Sequence, residues 1–139
     1  MSKTVKARKV SAGYAEGEAL VSPMPLGFNH GVDPKTGVIK ENGQVLKGVS
    51  MKGKIFVFPN GRGSTGASYM IYQVMQEGGG PAAMIMQKAD TIVLSGAIMS
   101  HLPAVDMLEN DAYDTIETGD YLKVDATGGT VEIIKKADR

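Results

Sequence analysis

KIFVFPNGRGSTGASYMIYQVMQE, residues 54–77, is the stretch on which the fold turns. Residues 54–58 form a nearly continuous apolar run, β-branched and aromatic, which predicts a strand buried on both faces. Pro59 stops it, since proline has no N–H to give to a sheet ladder. Beyond the glycine-rich turn, Ala67, Met70, Ile71, Val74 and Met75 fall at i, i+3, i+4, i+7 and i+8. That is the stripe of an amphipathic helix, with Gln73, Gln76 and Glu77 away from it. Gly78-Gly79-Gly80-Pro81 ends the helix, and residues 82–86 read as a second buried strand. The unit expected is therefore strand, glycine loop, helix, strand.

Upstream, residues 5–10 and 18–22 read as short strands joined by a turn region at 13–17. Residues 23–37, PMPLGFNHGVDPKTG, are expected to form a helix-free loop, because prolines and glycines punctuate them throughout. A connection of that length tends to carry function. Residues 38–40 read as a short strand and Asn42-Gly43 as a turn, since both residue types tolerate positive φ. Downstream, residues 91–94 and 97–99 are apolar and flank Gly96, and 103–105 suit an inner strand. Residues 106–113 suggest a helical turn. Residues 121–125 and 130–134 straddle Gly128-Gly129 as a closing hairpin. Strands outnumber helices in this α/β pattern, and 139 residues suit one domain over 1–139 with one core.

Composition removes several function classes. Fifteen basic and fifteen acidic residues cancel, so no net field draws the chain to nucleic acid or to an anionic membrane. No run approaches the ~20 apolar residues of a membrane span. The basic start MSKTVKARK is followed by neither an apolar run nor a cleavage site, so a cytoplasmic location is expected. The absence of cysteine excludes a disulfide framework, a cysteine nucleophile and thiolate ligation of zinc or an iron–sulfur cluster by this chain. With only His30 and His101, no metal site is expected here, and metal chemistry must come from a partner. Met70, Met75, Met84, Met86, Met99 and Met107 lie in apolar surroundings and read as gap-filling core, with some available to face a partner subunit.

The chemistry concentrates in Asn60-Gly61-Arg62-Gly63-Ser64-Thr65-Gly66. Glycines let the backbone turn sharply and bring amide groups close to a ligand. A helix starting near Ser64 or Thr65 turns its unpaired N–H groups and positive dipole end toward the loop. Arg62 adds a planar fork of donors suited to carboxylate or phosphate, which completes an anion site. Three readings compete. Ser64 or Thr65 can simply cap the helix. Gly61, Gly63 and Gly66 also satisfy G-x-G-x-x-G, with Asp90 as the acidic residue, but too little chain follows for a dinucleotide fold. A P-loop fails, because no lysine precedes Ser64 or Thr65. The third reading makes Ser64 an acid or base, its alkoxide stabilised by loop amides and Arg62. No G-x-S-x-G elbow is present and neither histidine has an orienting acid, so hydrolase chemistry is disfavoured.

At this loop the chain resembles a known family. FPNGRGSTGAS (58–68) is similar to the Gly-Arg-Gly-Ser loop of the aconitase X small subunit. GEALVS (17–22), GFNHGVDPKTG (27–37), PAAMIM (81–86) and HLPAVD (101–106) resemble further family segments in the same order, over roughly residues 10–125. The resemblance implies a swivelling β/β/α domain, like the mobile domain of aconitase, acting as the small subunit of a hydro-lyase. It implies a heterodimer or higher assembly with a large subunit carrying a 4Fe-4S cluster, whose open iron takes the substrate hydroxyl as a Lewis acid. On that carry-over Ser64 is the base that removes the α-proton next to a carboxylate, and Arg62 binds the carboxylate. Gly63, Thr65, Asn29 and Asp33 join as expected substrate contacts. The residues also allow Asp33 to cap the Asp-Pro-Lys-Thr-Gly turn and His30 to be a surface residue. Within the family, separate small subunits resemble those of phosphomevalonate dehydratases, which yield trans-anhydromevalonate 5-phosphate in the mevalonate pathway. Bacterial relatives resemble cis-3-hydroxy-L-proline dehydratases. Gly27-Phe28-Asn29-His30 departs from the family's aromatic-Gly-Gly, which bears on the substrate; the separate small subunit favours (R)-5-phosphomevalonate, with cis-3-hydroxy-L-proline as the alternative. A non-catalytic swivel adaptor is the remaining alternative; its phosphohistidine version would put histidine where Ser64 and Thr65 stand.

Overall fold

The computed structural model describes residues 2–62 and 66–136. In chain order the first elements are β1 (Ser2–Lys6), β2 (Arg8–Ser11), β3 (Tyr14–Val21), β4 (Leu26–Gly27) and a single helical turn, α1 (Phe28–Gly31). Then come β5 (Ile55–Phe58), β6 (Gly61–Arg62), α2 (Gly66–Glu77), β7 (Ala83–Met86), α3 (Thr91–Met99) and β8 (Ala104–Asp106). An irregular 3-10 stretch, Glu109–Thr115, leads to the hairpin β9 (Tyr121–Asp125) and β10 (Thr130–Ile134).

β5, apolar throughout, lies at the centre, parallel to both β3 and β7, and β8 continues the parallel run beyond β7. Parallel strands with helical crossovers are buried on both faces, which is why β5 and β7 show no polar alternation. β3 joins two halves: its first part, Tyr14 to Glu18, pairs antiparallel with β9, and its last, Ala19 to Val21, parallel with β5. The full strand order is β1-β10-β9-β3-β5-β7-β8-β2. The two end strands are consecutive in the chain, separated by Ala7 alone. One residue reaches only about 3.3–3.6 Å, so the two ends of the sheet meet and the sheet curls on itself.

The curl separates two cores. Ile55, Val57, Ala83, Ile85, Val105, Leu122, Val124, Val131 and Val5 fill the inside. The alternate residues Phe56, Phe58, Met84, Met86 and Ala104 face outward, against α1, α2 and α3. There Phe56 stacks on Phe58 at 4.7 Å, and Phe58 meets Phe28 of α1 edge-on at 6.0 Å. α2 buries Ala67, Ile71 and Val74, with Met70 and Met75 partly covered, as its stripe predicts. α2 and α3 meet at Gly96, where an added Cβ would lie 2.8 Å from Ile71 Cδ1 and 3.2 Å from the Ser68 carbonyl oxygen.

Several expectations are corrected. The run 5–10 is two strands, broken at Ala7, that serve opposite ends of the sheet order. Tyr14 to Gly17 is strand rather than turn, because β9 pairs with it. The loop 23–37 holds the turn α1, made possible by Phe28 packing on Phe58. Residues 38–40 make only isolated bridges, Val32 to Ile39 and Val38 to Ser50. The apolar stretches around Gly96 are one helix, α3, and the turn expected over 106–113 begins at Glu109 because Asp106 closes β8. Met84 and Met86 are core, whereas Met99 and Met107 are exposed.

Candidate active site

Ser64, Gly63 and Thr65 lie outside the described residues. The frame that carries them is described on both sides. β5 ends at Phe58, and β6 brings Arg62 up beside β4, parallel, with Leu26 opposite Gly61 and Gly27 opposite Arg62. α2 starts at Gly66, four positions after Arg62 in the chain, and its first-turn N–H groups lack intrahelical acceptors, so this end carries partial positive charge. Asp90 ties the same corner to α3: Oδ1 accepts from Gly61 N at 2.8 Å and Oδ2 caps α3 through Val93 N at 3.2 Å. Its carboxylate is thus a structural cap, and the dinucleotide reading loses its acidic partner.

Arg62 is exposed, and Nη2 meets Glu41 Oε1 at 2.6 Å. Among the described residues its other N–H donors take no partner, so part of the fork is open for an anion. Glu41 was not singled out by sequence; nothing local distinguishes it, and its role rests on pairing across 21 positions. Glu41 Oε1 also accepts from Gln44 Nε2 at 2.6 Å and weakly from Gly27 N at 3.4 Å. Partial burial pushes the Glu41 carboxyl up, but hydrogen bonds from Arg62, Gln44 and Gly27 outweigh it and hold the group below its ordinary range.

The β4–β6 pairing brings the segment before Asn29 against Arg62, so these two expected contacts share one corner. Asn29 is partly buried in α1, and His30 beside it is exposed. Asp33 Oδ1 accepts from Lys35 N at 2.9 Å and Thr36 N at 3.1 Å, the turn-capping role. The Thr36 and Lys35 amides hold its carboxyl below the usual aspartate range. Among the described residues no three His, Asp or Glu side chains converge to hold a metal.

Residues 4–133 match the aconitase X swivel domain family. The chain belongs to that family. The swivel fold accounts for the curled sheet with its helices on one side, and structures agree. Aconitase X of Thermococcus kodakaraensis in its holo form superposes with a TM-score of 0.90 at 44% identity, covering 96% of this chain and 99% of that one. A UPF0107 protein solved by solution NMR gives 0.86 at 38% identity, covering 96% and 100%. Among curated relatives, the phosphomevalonate dehydratase small subunit of Methanosarcina acetivorans is 46% identical over 94% of this chain and 91% of its own length. That of Methanocella arvoryzae is 47% identical over 93% and 98%. No helix among the described residues is long and apolar enough to cross a membrane.

Proposed function

We propose that this chain, over residues 1–139 as one swivel domain, is the small subunit of a cytoplasmic phosphomevalonate dehydratase. The observation that carries this is mutual coverage: separate small subunits of that enzyme align with nearly all of this chain and nearly all of themselves. In the reaction a proton leaves the carbon next to the carboxylate and the hydroxyl leaves the adjacent carbon, giving trans-anhydromevalonate 5-phosphate and water. Ser64 takes the proton. A serine hydroxyl is a poor base unless its oxyanion is stabilised; Arg62, two positions before Ser64 in the chain, and the helix start two positions after it are the donors and positive charge this reading assigns to that task. Arg62 holds the substrate carboxylate through the donors Glu41 leaves open, and Asn29 flanks it on α1. A 4Fe-4S cluster does not fit this chain, which has no cysteine. We place it in a large subunit, with which this chain forms the active complex.

The test is the reconstituted complex with Ser64→Ala and Thr65→Ala, assayed with (R)-5-phosphomevalonate and with cis-3-hydroxy-L-proline. Ser64→Ala is expected to lower kcat at least ~10²–10⁴-fold, as loss of a general base does, while subunit association survives. If Ser64 were only a helix cap, the variant would lose about 0.5–2 kcal/mol of stability and turn over almost normally. That result overturns the assignment, and a collapse confined to Thr65→Ala moves it by one residue. Turnover of the proline substrate alone would overturn the phosphomevalonate reading.

A further inference from the structure

Glu41 sits in a seat shaped for its carboxylate. An added Cβ at Gly27 would lie 2.5 Å from Glu41 Oε2 and would displace the carboxylate, and one at Gly31 would press on Glu41 Cβ at 3.3 Å, so the two glycines leave the carboxylate its place. The main chain on either side is anchored: Lys40 N donates to Gly31 O at 2.8 Å and Gln44 N to Glu41 O at 3.3 Å. Gln44, buried, donates through Nε2 to both Pro25 O at 2.7 Å and Glu41 Oε1 at 2.6 Å. The backbone of Arg62 is referenced to the same segment, because Gly27 pairs with it across β4 and β6. The Arg62 backbone is therefore set by Gly27 through the ladder, and Nη2 by Glu41, which is itself held by Gly27 N and, through Gln44, to Pro25.

We infer that Glu41 is a positioning residue, holding the Arg62 guanidinium in one orientation before the substrate carboxylate arrives. The inference rests on the reading that Arg62 binds that carboxylate. A free arginine loses much rotamer freedom when it binds, and a guanidinium already fixed at one nitrogen has less to lose. The single contact at Nη2 takes one N–H and leaves a bidentate edge, made of the second Nη2 N–H with Nε–H or Nη1–H.

The experiment is a double-mutant cycle in the complex with its large subunit, using Glu41→Gln, Arg62→Lys and both together. Initial rates are measured with the dehydratable hydroxy acid, and thermal midpoints alongside. Glutamine keeps the size and an acceptor oxygen, so Glu41→Gln should raise KM roughly tenfold with kcat within about threefold. In the Arg62→Lys background the same change should matter less than about twofold, since the group being positioned is gone. Glu41→Asp, which keeps the charge but withdraws it by one methylene, should fall between, and it serves if the glutamine variant does not assemble. A Glu41→Gln effect undiminished beside Arg62→Lys, or a lowered KM showing that Glu41 competes with substrate, overturns the inference. Arg62→Lys with unchanged KM and kcat instead overturns the reading beneath it, so the two failures are distinct.

Discussion

Two arginines of this chain are equally exposed, each with 55% of its side chain open to water, yet they do opposite things. Arg8 grips Asp106 with both Nε and Nη2, at 2.8 and 2.7 Å, and Ala89 N donates to the same carboxylate at 2.8 Å. Asp106 is fully buried; the two Arg8 bonds tie β2 to β8 and close the curled sheet, and the Ala89 bond fastens the segment after β7 to β8. Arg62 gives one nitrogen to a carboxylate still 21% exposed and keeps the rest of its fork. Exposure does not separate the two. What separates them is how many donors are already engaged, and whether the partner carboxylate can reach water.

The largest break in this comparison should come from Asp106→Ala. It removes two charge-assisted bonds and leaves the Ala89 N–H without its acceptor, at a cost of roughly 2–4 kcal/mol, kept moderate because the Arg8 side is wetted. The midpoint of urea unfolding should fall clearly, while kcat per folded complex stays at the wild-type value. A catalytic loss without unfolding would mean that the Arg8 corner also serves the site.

A smaller but more diagnostic change is Gly96→Ala. The added methyl meets Ile71 Cβ at 3.0 Å and the Ser68 carbonyl at 3.2 Å, neither of which is a flexible chain end. Forcing the two helices apart should cost about 1–3 kcal/mol, as overpacking does. Unlike Asp106→Ala, it should also disturb turnover. α2 starts just after Ser64, and α3 holds Gly61 through Asp90, so their separation moves both supports of the Arg62 corner. Lost stability with unchanged kinetics would show that the corner is insulated from the helix layer.

Much of this architecture was legible in the residues, and what was not has physical reasons. The buried run 54–58, the stripe from Ala67 to Met75 and the hairpin across Gly128-Gly129 each carry a period or a turn signal of their own. α3 does not: Thr91–Met99 is apolar on nearly all sides, so no helical stripe stands out. The break at Ala7 is silent in sequence, because it reflects which strands the two halves find, β10 and β8. The site divides the same way. Arg62 announces itself between glycines, whereas Glu41 acquires its role only when β4 pairs with β6 and draws the turn after Ile39 over Gly27 and Gly31.

The smallest expected effect is a pH dependence that sets the Asp120–Lys135 pair, at the start of β9 and the end of β10, against the site. Asp120, 1% exposed, accepts from Lys135 Nζ at 2.6 Å, Glu117 N at 2.8 Å and Lys136 N at 3.0 Å. Burial pushes this carboxyl up, but those donors, Lys135 foremost, prevail and hold it below the ordinary aspartate value of 3.8. A carboxyl depressed in the folded state binds protons less readily there than in the unfolded chain. Its contribution is therefore complete above the unfolded value and drains away as pH falls through the folded one. Lys135 runs the other way: with its folded value raised above 10.5, its share is complete below that and fades only in stronger alkali. Thermal midpoints of the complex should thus be flat in this respect from pH 7 to about 5 and decline below about 4. Asp120→Asn should lower the plateau and flatten the acid decline. Glu41→Gln should flatten it less, since water screens a pair whose arginine is more than half exposed. Equal flattening by both variants would mean that the Glu41–Arg62 pair is as much a fastening of the fold as Asp120, and the contrast between structural pairs and the pair at the site would fail.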